Sequence, residues 1–209
     1  MYKKKPFFIV FEGIEGSGKS FHLENIKKYF KKKKINFLSL REPGGSKNAE
    51  KIRKLIFGSK SNNFHKLTDF YLMLAARNEH LNETILKAKK QKKILICDRF
   101  IDSTFAYQVV GNKIKKNINF INNKYILNNI KPNLTIILKS NMNNIFKKLR
   151  KRKIKNKFDN LDKSFYLKTQ KAFLNIAKSN KNYFVFDSST NDKFLEKKLL
   201  DLIINKIKI

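Results

Sequence analysis

The chain of 209 residues has no tryptophan, one cysteine, three prolines and seven glycines. A single thiol, Cys97, excludes an internal disulfide and suits a reducing, cytoplasmic setting. Its place at the end of an apolar run marks it as a core thiol. With so little proline and glycine there is no flexible linker. Without internal repeats, the length corresponds to one domain over residues 1–209. No apolar run approaches the roughly 20 residues needed to cross a bilayer, so no membrane partner is expected. Lys3-Lys4-Lys5 ahead of Phe7–Phe11 imitates a secretory leader, but the apolar run is too short and lacks a small-residue cleavage site.

Carboxylates are scarce as well: 16 Asp and Glu stand against 48 Lys and Arg, a formal charge of +32. Such an excess is the footprint of a nucleic-acid binder. Its make-up points instead to codon bias, because Lys, Asn, Ile, Phe and Tyr, all abundant here, have A/T-rich codons. Arginine is confined to Arg41, Arg53, Arg77, Arg99, Arg150 and Arg152, and the lysines are spread along the chain rather than gathered in a stripe. Nucleic acid is therefore not the expected partner. An arginine kept against such a bias points to work that lysine does poorly, such as gripping a phosphate or a base edge with a planar fork.

What the chain does contain is alternation. Phe7–Phe11, Asn36–Leu40, Ile94–Cys97, Leu134–Leu138 and Tyr183–Phe186 have the length and composition of buried strands. Helical patterns lie between them and after the last, where Leu195, Leu199 and Leu202 mark an amphipathic end helix. This order predicts an α/β fold: a parallel five-stranded sheet with helices on both faces, and ligands bound beyond the carboxyl ends of the strands. The basic stretch from Lys147 to Lys157 has no apolar period after Leu149 and reads as an exposed helix end running into a mobile loop.

Gly13-Ile14-Glu15-Gly16-Ser17-Gly18-Lys19-Ser20 matches the phosphate-binding loop G-x-x-x-x-G-K-[ST]. An apolar strand precedes it, and Leu23, Ile26 and Phe30 follow at helical spacing. The glycines let backbone N–H groups converge on an anion at a helix N-terminus. Lys19 is placed to reach the β- and γ-phosphates of a nucleotide, and Ser20 to offer a hydroxyl to Mg²⁺.

Other candidates lie at the same sheet edge. Asp98 closes the third strand, either as the metal-side partner of the phosphate loop or as a cap on the next helix. Arg99 follows, either for a second anion or for a salt bridge to Asp98 or Glu42. Arg77, behind the run Leu72–Ala76, either meets a buried base or snorkels to water. Ser103, Thr104, Tyr107 and Gln108 cluster within ten residues of Arg99, and the donor and acceptor of Gln108 suit a pyrimidine imide edge. His22, His65 and His80 lack metal-ligand spacing and are expected in solvent. Asn156-Lys157-Phe158-Asp159 matches the guanine-reading tetrad N-K-x-D, but no D-x-x-G switch accompanies it and it does not follow a strand.

Three segments, Phe11–Ser20, Arg41-Glu42-Pro43-Gly44-Gly45-Ser46 and Asp98–Gln108, resemble the bacterial thymidylate kinases in residues, order and spacing, and the similarity runs from about Phe7 to the C-terminus. The resemblance implies a P-loop NTPase fold of the nucleotide-kinase type, with a short lid at about residues 150–163. It also implies transfer of the ATP γ-phosphoryl group to dTMP with Mg²⁺, and a homodimer. Carried over by position, Arg53 and Arg99 hold the acceptor phosphate and Arg77 and Gln108 read thymine, with Thr104 nearby. Tyr107 packs under the sugar and selects deoxyribose, Glu15 sits by the 3′-hydroxyl, and Arg41 and Glu42 line the acceptor side.

Three departures stand out. Met73 occupies the place of an aromatic base stacker. The lid's arginine-bearing D-R-x-E-like stretch is matched by Asn156, Lys157, Phe158 and Asp159, which leaves Lys157, Arg152 or Arg150 as the transition-state cation. Val109-Val110-Gly111 stands where a glycine-rich loop is usual. The rival readings are a kinase for another nucleotide or a deoxynucleoside, a nucleic-acid-dependent NTPase, and an inactive relative.

Overall fold

Ile9, Val10 and Phe11 have no exposed surface, and neither have Ile94, Leu95, Ile96 and Cys97. These two runs are the central strands of the computed structural model, which describes residues 5–58, 64–153, 157–190 and 192–207. Asn156, the first residue of the lid tetrad, falls outside the described residues.

Five strands, β1 (Phe7–Glu12), β2 (Phe37–Arg41), β3 (Ile94–Asp98), β4 (Leu134–Lys139) and β5 (Tyr183–Asp187), form one parallel sheet in the order β2-β3-β1-β4-β5. Each runs one residue past the apolar stretch that predicts it, and each added residue is polar.

Side-chain alternation divides the core. From β1, Ile9 and Phe11 face α1 (Lys19–Lys32) and α9 (Lys193–Ile207), meeting Leu23, Ile26, Phe30, Leu199 and Ile203. Phe8 and Val10 face the opposite layer, where Leu81, Ile85 and Ala88 come from a long helical run. That run is α3 (Lys66–His80), a π-helical turn at Leu81–Ile85, and α4 (Leu86–Lys90). A third cluster joins Ile14 and Tyr107 to α7 (Met142–Arg150) and α8 (Lys163–Lys178) through Ile145, Leu149, Tyr166 and Phe173. Helices therefore cover both faces, as the alternation predicts. Truncating a core residue such as Ile9 to alanine would cost about 2–5 kcal/mol.

Parallel pairing puts the strand ends side by side. Arg41 pairs with Asp98, and Asp98 with Phe11. Glu42 N–H donates to Asp98 O at 2.9 Å and Arg99 N–H to Phe11 O at 2.9 Å. The phosphate loop, the turn at residues 42–46 and Arg99 are thereby neighbours. Ser46 caps α2 (Lys47–Phe57) through Ala49 N–H, and Asp162 caps α8 through Phe165 N–H. No side chain caps α1. It starts at Gly18, φ 91°, which leaves the N–H groups of its first turn for a ligand.

The basic stretch is an exposed helix end as far as Lys153, residues 154–156 lie outside the described residues, and the chain beyond them differs from an open loop. Lys151–Lys153 are exposed, but residues 157–159 turn back onto the body and Asp159 is buried. The Phe158 ring packs between Phe57 of α2 (centroids 5.8 Å apart) and Tyr107 (5.2 Å), and Arg152 Nη1 donates to Asp159 at 2.5 Å. At the segment with the missing glycines, α5 (Ile101–Thr104) leads into a π-helical turn, Phe105–Gly111. Gly111 lies against the Phe165 ring, where an added Cβ would stand 2.4 Å from Cζ and the ring would have to shift.

Candidate active site

A cleft of about 500 Å³ opens beyond the carboxyl ends of β1, β2 and β3. Glu15, Gly16, Gly18, Lys19 and Ser20 form one side. Arg41, Glu42, Arg53, Met73, Arg77, Arg99, Ser103, Thr104, Tyr107 and Gln108 form the other, and Asp98 lies between. Every acceptor-side candidate from the sequence is thus brought to one cavity with the phosphate loop.

The loop is tightly set. Gly13 has φ 139°, and a Cβ there would lie 2.4 Å from Leu138 O of β4, so only glycine fits. Lys19 is buried and donates to Gly13 O (2.8 Å) and Ile14 O (3.0 Å). Burial, and then the Arg99 guanidinium, lower its pKa to about 8, against the pull of Asp98, Glu15 and Glu12. A lysine held this way gains counter-charge from an incoming phosphate.

Arg99 does not pair with Asp98 or Glu42. It reaches across to Glu15 Oε1 (2.7 Å), Gly13 O (2.9 Å) and Ser103 Oγ (3.0 Å), with its guanidinium 5.1 Å from the Tyr107 ring centre. Burial opposes its charge, but Glu15, Tyr107, Asp98 and Glu12 outweigh that and raise its pKa. The Tyr107 hydroxyl donates to Glu15 Oε2. Burial, reinforced by Glu15, pushes the phenol's pKa well up.

Arg77 does not snorkel. It is 3 % exposed and donates to Glu42 Oε2 (2.8 Å), Phe100 O (3.0 Å) and Thr104 Oγ1 (2.8 Å), with a longer contact to Asn123 Oδ1 at 3.5 Å. Glu42 also takes His80 Nδ1 at 3.1 Å. Burial works against the Glu42 carboxylate, yet Arg77 and His80 prevail and lower its pKa. His80 and His22 are buried rather than solvated. For His80 the cause is Glu42 and the close approach of Gly45, where a Cβ would stand 2.4 Å from His80 Nε2. Gln108 is buried, and its Oε1 accepts from Asn112 Nδ2 at 2.8 Å.

Arg53 donates to Pro43 O (2.6 Å) and stacks on Phe57 at 4.8 Å. Arg41 is exposed and doubly bonded to Glu50, at 2.8 and 3.2 Å. Lys148 of α7, Arg152 and Phe158 line the cleft, whereas Lys157 Nζ turns to Asp69 of α3 at 2.6 Å and Arg150 is exposed.

The residues present fit a magnesium ion. Asp98 Oδ1 is buried and has no hydrogen-bond partner, and the exposed Ser20 shares the cavity with it. Among the described residues no cluster of three His, Cys, Asp or Glu could hold a metal alone. Two protein oxygens completed by phosphates and water is the usual arrangement for Mg²⁺.

Sequence reasoning missed Glu12. It is fully buried, accepting from Phe100 N–H (2.8 Å), Ser103 N–H (3.2 Å) and Ser103 Oγ (2.6 Å), and so fixes the start of α5 under Arg99. Burial, then nearby Asp102, raises its pKa to about 8. Its place at the strand end before Gly13 was the available signal.

A sequence model described as thymidylate kinase matches residues 11–199. The chain is 37 % identical over 195 residues to the thymidylate kinase of Ligilactobacillus salivarius, covering 90 % of this chain and 93 % of that one. It is 39 % identical over 173 residues to that of Wolbachia pipientis, covering 81 % and 84 %. The crystal structure of thymidylate kinase from Ehrlichia chaffeensis superposes with a TM-score of 0.76 at 30 % identity, over 95 % of this chain and 98 % of the other. With the phosphate loop, the cleft and these relatives in agreement, the chain belongs to the thymidylate kinase family.

Proposed function

We propose that this protein transfers the γ-phosphoryl group of ATP to dTMP, giving dTDP. The observation that carries this reading is the single cleft with a phosphate loop on one side and Arg53, Arg77, Arg99 and Gln108 on the other. The acceptor is a phosphate, already largely ionised near neutral pH, so the reaction needs no general base. The barrier lies in bringing anions together, and catalysis reduces to positioning and charge neutralisation.

In this reading Lys19 and the loop amides of Gly13–Ser20 hold the donor phosphates, and Arg53 and Arg99 receive the acceptor phosphate. Arg99 then exchanges Glu15 for that phosphate, and Glu15 with Tyr107 faces the sugar. Arg77 is held flat by Glu42 and Thr104, so that its least committed nitrogen, Nη1, faces the base with the Gln108 amide. Ser20 and Asp98 would hold Mg²⁺, which would neutralise charge on the donor phosphates. Arg152, at the cleft wall, is favoured over Lys157 as the lid's cation.

A homodimer and cytoplasmic residence belong to the same reading. Ile121 and Tyr125 lie one turn apart on α6 (Lys116–Leu127) beside Phe120, and all three are exposed, as is Tyr71 on the adjoining α3. Such a stripe is suited to burial against a second copy. Sedimentation should give a dimer that Tyr125→Glu dissociates; a monomeric parent would refute it. No helix among the described residues is long and apolar enough to cross a membrane.

The deciding experiment is ATP consumption with dTMP, dUMP, dCMP, dGMP and thymidine as acceptors. We expect dTMP to give the highest kcat/KM. Equal or better turnover of dCMP, dGMP or thymidine would overturn the assignment.

A further inference from the structure

Along α1, solvent is met by Ser20, Glu24, Lys28, Lys31 and Lys32, with one apolar exception: Phe21. Its ring is 48 % exposed. Among the described residues it is the only large exposed apolar side chain that lines the cleft. Its one aromatic neighbour is His22, edge to face at 5.1 Å. The buried face of the helix, Leu23, Ile26 and Phe30, packs on the sheet without it. Nothing in the fold of the described chain accounts for a phenyl ring at this place.

The phosphate loop accounts for it. Phe21 is the third residue of the helix that Gly18 opens, so it sits within the first turn, about 5.4 Å of axis, beside any anion held there. The transferable end of that anion lies toward Arg99, which touches Gly13 O and Glu15. The other end therefore points past Ser20, toward Phe21, which lines the same cleft. What continues from that end of a nucleoside triphosphate is ribose and base.

We propose that Phe21 is the platform for the donor nucleoside, covering its ribose and base with the exposed ring, and that it sets donor preference toward purines. The proposal deepens the kinase reading given above and rests on it. An aromatic face under a base typically contributes enough that truncation weakens binding about ten-fold, more for a purine than for a pyrimidine. It contributes nothing to a bare polyphosphate.

The test compares two probes, the magnesium complexes of β,γ-imido-ATP and of inorganic tripolyphosphate, titrated calorimetrically into wild type, Phe21→Ala and Phe21→Trp. Because the ring is half exposed, its removal leaves the core intact. The expected result is a loss of about ten-fold in imido-ATP affinity for Phe21→Ala, unchanged tripolyphosphate affinity, and recovery in Phe21→Trp. In turnover, the change falls on KM for ATP rather than on KM for dTMP, and the preference for ATP over CTP narrows. Equal loss of both probes would mean that the substitution disturbs the helix start, and no loss of either would mean that the ring is idle; each overturns the proposal while leaving the kinase reading standing. Failure of the wild-type protein to bind imido-ATP at all would refute both.

Discussion

Lys157 Nζ lies 2.6 Å from Asp69 Oδ2, an ion pair that joins the segment after α7 to helix α3. The same ammonium stands over the Phe57 and Phe158 rings at 5.9 and 5.5 Å. Lys157 is thus turned from the cleft toward α3, whereas Arg152, paired with Asp159 at 2.5 Å, lines the cleft itself. An arginine that meets transition-state charge is worth about 10³–10⁵ in rate. A partly exposed ion pair is worth about 1 kcal/mol or less. Arg152→Ala should accordingly lower kcat by at least about 10³, whereas Lys157→Ala and Asp69→Ala should each change it only a few-fold. The effects of the last two should not add when combined. The reverse order of severity in steady-state assays would make Lys157 the catalytic cation.

The depressed pKa of Lys19 sets a pH limit. Burial and Arg99 bring it down to about 8, so the free enzyme loses this charge as pH rises through 8. Donor affinity should be flat below pH 7.5 and fall toward a tenfold loss per pH unit above 8. Titrations of imido-ATP across pH 6.5–9.5 check this. Lys19→Met should bind weakly and without the alkaline limb. A wild-type profile that stays flat to pH 9.5 would mean that Lys19 keeps its proton.

Much of this is legible in the sequence. Strands appear as apolar runs because parallel strands are covered on both faces, and the phosphate loop is a local motif whose glycines fit one geometry. What escaped reading were contacts made across the chain. His80 looked like a surface residue because its partner, Glu42, is 38 positions away. Arg77 admitted two readings until Glu42, Phe100 and Thr104 surrounded it. The lid looked like open loop because Phe158 finds Phe57 and Tyr107 only in three dimensions. A polar residue's environment is fixed by its partners, and spacing along one chain does not show them.

Glu12 illustrates both the omission and its consequence. Removing its carboxylate leaves Phe100 N–H and Ser103 N–H without acceptors in a buried place, so Glu12→Ala should lower unfolding free energy by about 3 kcal/mol in urea titration. The pH dependence has a definite sign. The folded-state pKa, about 8, lies above the ordinary value of 4.5. The contribution to stability is thus fully present below pH 4.5 and lost as pH rises toward 8. Wild type should therefore lose more stability than Glu12→Gln between pH 5 and pH 9. Parallel stability curves for the two proteins would refute the raised pKa.

Met73 lines the cleft on α3, half-buried, and in the kinase reading lies beside the acceptor base. A thioether beside a base already contributes polarizable contact, about 0.3–1.5 kcal/mol, and a phenyl ring on a base about 1–3 kcal/mol. The difference, near 1 kcal/mol, is about five-fold in affinity. The added volume is modest and the cleft is open to receive it. Met73→Phe should lower KM for dTMP about five-fold with kcat and KM for ATP little changed, and the gain should be smaller for an acceptor with a reduced, non-planar base. A base stacked elsewhere would leave KM for dTMP unchanged or raise it, and would remove Met73 from the acceptor site.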